Sequence, residues 1–373
     1  MIIQFIDLAA QQRRLKHDID SGIANVLAHG RYIMGPEVKE LETNLAKFGD
    51  AEFALGCANG TDALMLPLLA WGLPSNAAIF CPSFTYCATA EIIAVLGATP
   101  IFVDIDRDTY NMDPLSLRQA IDGVLKDSEL KPYAVIPVDL FGQSADYEKI
   151  APIAREFGLK LISDSAQGFG TTLKGRHPVY WCDVATTSFF PAKPLGCYGD
   201  GGAVLTNDSE LAGAMNSVRI HGKGEHKYDN VRIGLNSRLD TVQAAILLPK
   251  LAIFGEEIER RNLVAKRYLE GLKSNKVRVP TVLDSIVSTW AQFTIEVANP
   301  TDFASKLKEK GIPTARYYPT PVHQQTAYKD FPQGAGGLKN TEDCLDHIIS
   351  LPMHPYLDEN TQDMIIETAL SAF

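Results

Sequence analysis

Apolar positions along the first two thirds of the chain fall into short runs separated by longer amphipathic stretches. The runs are FALGC (53–57), AAIFC (77–81), TPIFVDI (99–105), YAVIPVDL (133–140), LKLISD (159–164), VATTSFF (184–190) and GAVLT (202–206). Each is rich in β-branched or aromatic residues and is short enough for a buried strand. Between several of them lie segments with helical spacing, such as DPLSLRQAIDGVLKD (113–127) and DYEKIAPIAREFG (146–158). Strands alternating with helices predict an α/β fold with a mostly parallel, seven-stranded sheet covered on both faces. Ligands of such sheets sit at the carboxyl ends of the strands.

The rhythm changes after residue 236. SRLDTVQAAILLPKLAIFGEEIERRNLVAKRYLEGLKS (237–274) reads as a long helix with one internal proline, Pro249, which predicts a kink or break. A smaller mixed α+β region follows. The expected division is a large domain over 1–245 and a small C-terminal domain over 246–373.

Composition narrows the class. The 373 residues carry 46% hydrophobic and 21% charged side chains and a net charge of −10. A field of that sign repels a phosphate backbone, so no nucleic-acid partner is expected. No uninterrupted apolar run is long enough to span a bilayer and no leader-like start is visible, so no membrane partner and a cytoplasmic location are expected. The six cysteines form no CxxC pair, which predicts free thiols and no metal.

Chemistry concentrates at the predicted strand ends. In SFFPAKPLGCYGDGGA (188–203), Lys193 stands between two prolines and ahead of several glycines, with apolar sequence around it. LKLISD ends in Asp164, and a carboxylate at the end of a buried strand is costly unless paired. It serves either to cap the next loop or to meet a permanent cation. CANGTDAL (57–64) opens a helix; its Asn59, Gly60, Thr61 and Asp62 suit either an ordinary N-cap or an anion at the helix start. Tyr86 belongs either to the core or to an aromatic face for a flat heterocycle. Together these pieces suit an aldehyde cofactor that condenses with the Lys193 amine. Asp164 would keep its pyridine ring protonated, the helix start and Ser188 would hold its phosphate, and Tyr86 would cover the ring.

Over almost its whole length the sequence resembles the DegT-type nucleotide-sugar aminotransferases, fold type I enzymes that use pyridoxal 5′-phosphate (PLP). The resemblance is carried in order by GRYIMGPEVKELE, CANGTDAL, PSFTYCATA, PIFVDID, DSAQGFG, SFFPAKPLG, GDGGA, RIHG, GLNSRLDTVQAA, GIPTARYYP and SLPMHPYL. It implies that Lys193 bonds the cofactor, Asp164 meets the pyridinium nitrogen, and Gln167 lies by the phenolic oxygen. Gly60, Thr61 and Ser188 would hold the phosphate and Tyr86 would stack. Asn236 would come from the second subunit of a homodimer with shared sites.

For the substrate side the resemblance implies Gly30, Tyr32, Ala192, Arg238, Tyr317 and Tyr318. Two positions depart from the family pattern: Ala192 replaces the usual Ser or Thr, and Tyr317 the usual His. The implied substrates are L-glutamate and a keto-sugar nucleotide, with UDP-2-acetamido-2-deoxy-3-oxo-D-glucuronate or a close 3-keto analogue as acceptor. The alternatives are a 4-keto-6-deoxy sugar nucleotide as acceptor and a PLP-binding regulatory protein without turnover. A dehydratase on the same fold would carry histidine at position 193. The segment 219–238 adds local cations to an acidic protein: Arg219, His221, Lys223, His226, Lys227, Arg232 and Arg238.

Overall fold

The computed structural model describes residues 3–226 and 228–372. The strands are β1 (Phe53–Cys57), β2 (Ala77–Pro82), β3 (Thr99–Val103), β4 (Lys131–Val135), β5 (Lys160–Asp164), β6 (Thr172–Leu173), β7 (Val184–Ser188), β8 (Gly202–Thr206), β9 (Val277–Arg278), β10 (Ile286–Val287), β11 (Phe293–Val297) and β12 (Ile348–Leu351). The helices are α1 (Leu8–His29), α2 (Pro36–Phe48), α3 (Gly60–Ala70), α4 (Ala88–Val95), α5 (Pro114–Asp127), α6 (Tyr147–Glu156), α7 (Ser209–Val218), α8 (Thr241–Gly271), α9 (Pro300–Glu309), α10 (Lys339–Leu345) and α11 (Glu359–Ser371).

The main sheet has seven strands in the order β1-β8-β7-β5-β4-β2-β3. All pairs from β3 to β7 are parallel, and β8 runs antiparallel between β7 and β1. These are the seven runs seen in the sequence. The main shortfall is β4, expected to continue to residue 140. It leaves the sheet after Val135 because Pro137 has no N–H to give the ladder; its carbonyl still accepts from Asp164 N–H at 2.9 Å. That departure turns Val138 and Asp139 across the end of β5.

The expected break at Pro249 is absent: α8 is one helix of 31 residues. Proline leaves the carbonyl four residues earlier, that of Ala245, without its helical partner. Gly22 of α1 packs on that carbonyl so closely that a Cβ there would lie 3.2 Å from the oxygen. The neighbouring helix α1 thus lies directly against the interrupted turn.

The division expected at residue 245 falls inside α8. Its first half packs Ala244, Leu247, Leu251 and Phe254 against the core beneath β7 and β8, with Val38 and Leu41 of α2. Its second half sends Val264, Ala265 and Tyr268 into a separate core with β11, β12 and α11. Ile3 joins that second core and Phe5 O accepts from Met353 N–H at 3.1 Å, so the start of the chain packs with its end. A three-stranded sheet, β12-β11-β9, backs this smaller region.

Candidate active site

The carboxyl ends of β1, β5 and β7 and the loops after β2 and β4 converge on one cavity of about 420 Å³. That volume suits a small organic ligand. It is lined by Gly60, Thr61, Tyr86, Asp164, Gln167, Ser188, Ala192, Lys193, Tyr317 and Tyr318 among the residues singled out in the sequence.

Asp164 ends β5 and is 5% exposed. One oxygen accepts from Thr89 Oγ1 at 2.8 Å and the other from Ala166 N–H at 3.1 Å. Burial pushes its pKa up, while these two hydrogen bonds and the charge of Lys193 pull it back down. Lys193 follows β7 in a turn closed by its own N–H to Phe190 O at 2.8 Å. Burial lowers the amine's pKa, and Asp164 opposes that shift through space. The pair thus places an amine of lowered pKa across from a carboxylate that has no hydrogen-bonded cation among the described residues.

Helix α3 begins at the mouth of β1. Asn59 caps it by accepting from Asp62 N–H at 2.8 Å, which leaves the N–H groups of Gly60 and Thr61 without a partner among the described residues. Gly60 lies so near the end of β7 that a Cβ would sit 2.6 Å from Ser188 Cβ. Gln167 is fixed at both ends, accepting from Phe141 N–H at 2.7 Å and donating to Tyr318 OH at 2.8 Å. Burial raises the Tyr318 pKa. Tyr86 is 57% exposed and sets its ring 6.2 Å from that of Tyr318.

Gly30, Tyr32, Asn236 and Arg238 do not reach this cavity in their own chain. They gather at the end of α1 and the start of α8 instead. Gly30 caps α1 with φ 69°, and Tyr32 O accepts from Thr241 N–H at 2.9 Å. Asn236 and Arg238 join Ile33, Asp240 and Gln243 around a second, open cleft, and Arg238 donates to Asn236 Oδ1 at 2.7 Å. Asp200 borders both clefts. Lys227 lies outside the described residues. The sequence reading missed Thr89, Ile6, Asp200 and Gln292, which also touch the cavity. Thr89 had a signal: a strand-end carboxylate needs donors, and PSFTYCATA supplies a hydroxyl near it.

The model of the DegT/DnrJ/EryC1/StrS aminotransferase family matches residues 13–370. The chain belongs to this family. Among its relatives is the UDP-2-acetamido-2-deoxy-3-oxo-D-glucuronate aminotransferase of Pseudomonas aeruginosa, 48% identical over 357 residues and 96% of both chains. A solved DegT/DnrJ/EryC1/StrS aminotransferase from Brucella abortus is 50% identical, with a TM-score of 0.97 and 99% of each chain covered. The Bacillus subtilis NtdA structure, described with bound cofactor PMP, is 29% identical with a TM-score of 0.87, over 95% of this chain and 81% of the other.

As a DegT-family member the protein is a PLP-dependent nucleotide-sugar transaminase. The cavity's chemistry fits that cofactor. Unpartnered N–H groups at the start of α3 suit a phosphate, and a buried carboxylate suits a ring cation. An amine with a lowered pKa suits an aldehyde. Among the described residues no cluster of His, Cys, Asp and Glu could hold a metal, and no helix is long and apolar enough to cross a membrane. The six cysteines are free; Cys87 and Cys182 keep partial exposure.

Proposed function

We propose that the protein moves an amino group from L-glutamate to UDP-2-acetamido-2-deoxy-3-oxo-D-glucuronate or a close 3-keto analogue, in the cytoplasm, for surface polysaccharide assembly. The observation that carries this reading is 48% identity over 96% of both chains to an aminotransferase of that name, together with a lysine facing a buried carboxylate in the cavity.

Bound PLP supplies an aldehyde that condenses with amines and a protonated ring that takes up electrons released at the adjacent carbon. Lys193 bonds the cofactor between turnovers. With the donor amine in its place on the cofactor, the Lys193 Nζ would take the proton from the Cα of the amino donor, a role that the lowered pKa favours. In the sugar half it returns a proton to the aminated carbon. Asp164 holds the ring nitrogen protonated. Gly60, Thr61 and Ser188 would hold the phosphate, Tyr86 would cover the ring, and Gln167 would stand by its phenolic oxygen. Ala192, Tyr317 and Tyr318 border the space for substrate.

A second copy of the chain completes the site in this reading. Asn236 reaches the partner's phosphate, and Arg238 meets the uronate carboxylate with its planar guanidinium. Gly30 and Tyr32 form the wall beside them. Support comes from the exposed apolar side chain of Ile33 on that cleft and of Tyr32 next to it in the chain, which leave a surface suited to burial.

The test loads the protein with PLP and glutamate and offers a panel of 3-keto and 4-keto nucleotide sugars. Amination of the 3-keto uronate is expected; amination of 4-keto sugars alone would replace this reading. Lys193→Ala should remove both turnover and the visible absorbance of the lysine-bound cofactor. Full activity in that variant would end the account.

A further inference from the structure

Gln292 directly precedes β11 and is anchored by its N–H to Phe141 O at 3.3 Å. It lines the cavity beside Ile6, Tyr317 and Tyr318 on the wall formed by the smaller region. It is 9% exposed. Its side-chain amide makes no hydrogen bond among the described residues, and its Oε1 is enclosed without a partner. The other amide in this cavity, Gln167, is committed at both ends. Gln292 is thus a cavity amide whose hydrogen bonds are left for something else. An enclosed carbonyl oxygen without a donor costs stability that a methionine of similar size would not.

We infer that Gln292 contacts the acceptor substrate and reads a neutral group that both donates and accepts, a ring hydroxyl or the acetamido function. A carboxylate only accepts, so it can pair with the Nε2 hydrogens but leaves Oε1 unpaired. The carboxylates of the amino donor are of that kind. A sugar hydroxyl or acetamido N–H gives its hydrogen to the amide oxygen while its own oxygen accepts from the amide nitrogen. Oε1 is sealed from the cavity, so this two-point contact requires the Gln292 side chain to change rotamer and bring the amide edge to the ligand as the acceptor binds. This inference rests on the sugar-nucleotide reading and names the part of the acceptor that the wall beside Tyr317 recognises.

The experiment compares wild type and Gln292→Met as PLP-loaded enzymes, with the two half-reactions followed separately by cofactor absorbance. The acceptor is whichever keto-sugar nucleotide the wild type aminates, so failure of the uronate assignment leaves this comparison standing. Calorimetric binding of the corresponding amino-sugar nucleotide gives a readout independent of turnover. In Gln292→Met the sugar half-reaction and the amino-sugar affinity should fall about 10- to 100-fold. The glutamate half-reaction should stay within about twofold, since its carboxylates cannot satisfy Oε1. Gln292→Glu, which keeps an acceptor, should fall between the two. A deficit confined to acetamido sugars assigns the contact to that group, and one that persists without it assigns the contact to a hydroxyl. Equal losses in both half-reactions, or no loss in either, would overturn the inference.

Discussion

At the scale of single residues, the cavity depends on a few close approaches. Gly60 and Ser188 touch so tightly that Gly60→Ala must push the start of α3 from the end of β7. Its affinity for PLP should drop on the order of tenfold, one lost hydrogen bond's worth, in an absorbance titration; an unchanged affinity would contradict the phosphate role. Arg238→Ala should raise KM for the sugar nucleotide far more than for glutamate, and equal effects on both would contradict the carboxylate role. Lys193 and Asp164 were legible in the sequence because each breaks an apolar pattern at a strand end. Gln292 was not legible, because a lone polar residue in WAQFTIE reads as one face of a strand. Only the three-dimensional count of its hydrogen bonds singles it out.

At the scale of elements, α8 ties the turn carrying Lys193 to the rest of the protein. Lys250 is buried in α8, donates to Gly196 O at 2.6 Å and lies 4.2 Å from the centre of the Tyr198 ring. Burial lowers its pKa to about 8. A lysine whose folded pKa is depressed binds fewer protons folded than unfolded between about pH 8 and 10.5, so its contribution to stability rises with pH across that window. The stability gap between wild type and Lys250→Met should therefore grow in favour of wild type over that range, by at most about 3 kcal/mol. A gap that stays flat in denaturant titrations would show that Lys250 keeps its ordinary affinity for protons. The strands of the main sheet were legible because parallel strands are continuous apolar runs. The continuity of α8 was not, since Pro249 reads locally as a breaker, while the helix α1 that packs along this stretch lies over two hundred residues away in sequence.

At the scale of the whole molecule, the residues expected to serve one cavity lie in two places on the chain. The proposed dimer joins them, and it has a direct test. Lys193→Ala and Arg238→Ala proteins, each inactive or crippled alone, should regain activity when refolded together. Random pairing makes half of the dimers mixed, and each mixed dimer holds one site with both native residues, so about a quarter of wild-type activity should return. No recovery would mean that Arg238 acts within its own chain. The family resemblance assigned Asn236 to the second subunit but left open which copy Arg238 serves, because that depends on a surface and not on a local pattern.

The unbroken α8 has one more consequence. A rod of 31 residues rooted in both cores leaves no pliant tether on which the smaller region could swing like a door. Traffic of substrate and product then falls to the mouth of the cavity, where Phe190 stands exposed at the rim.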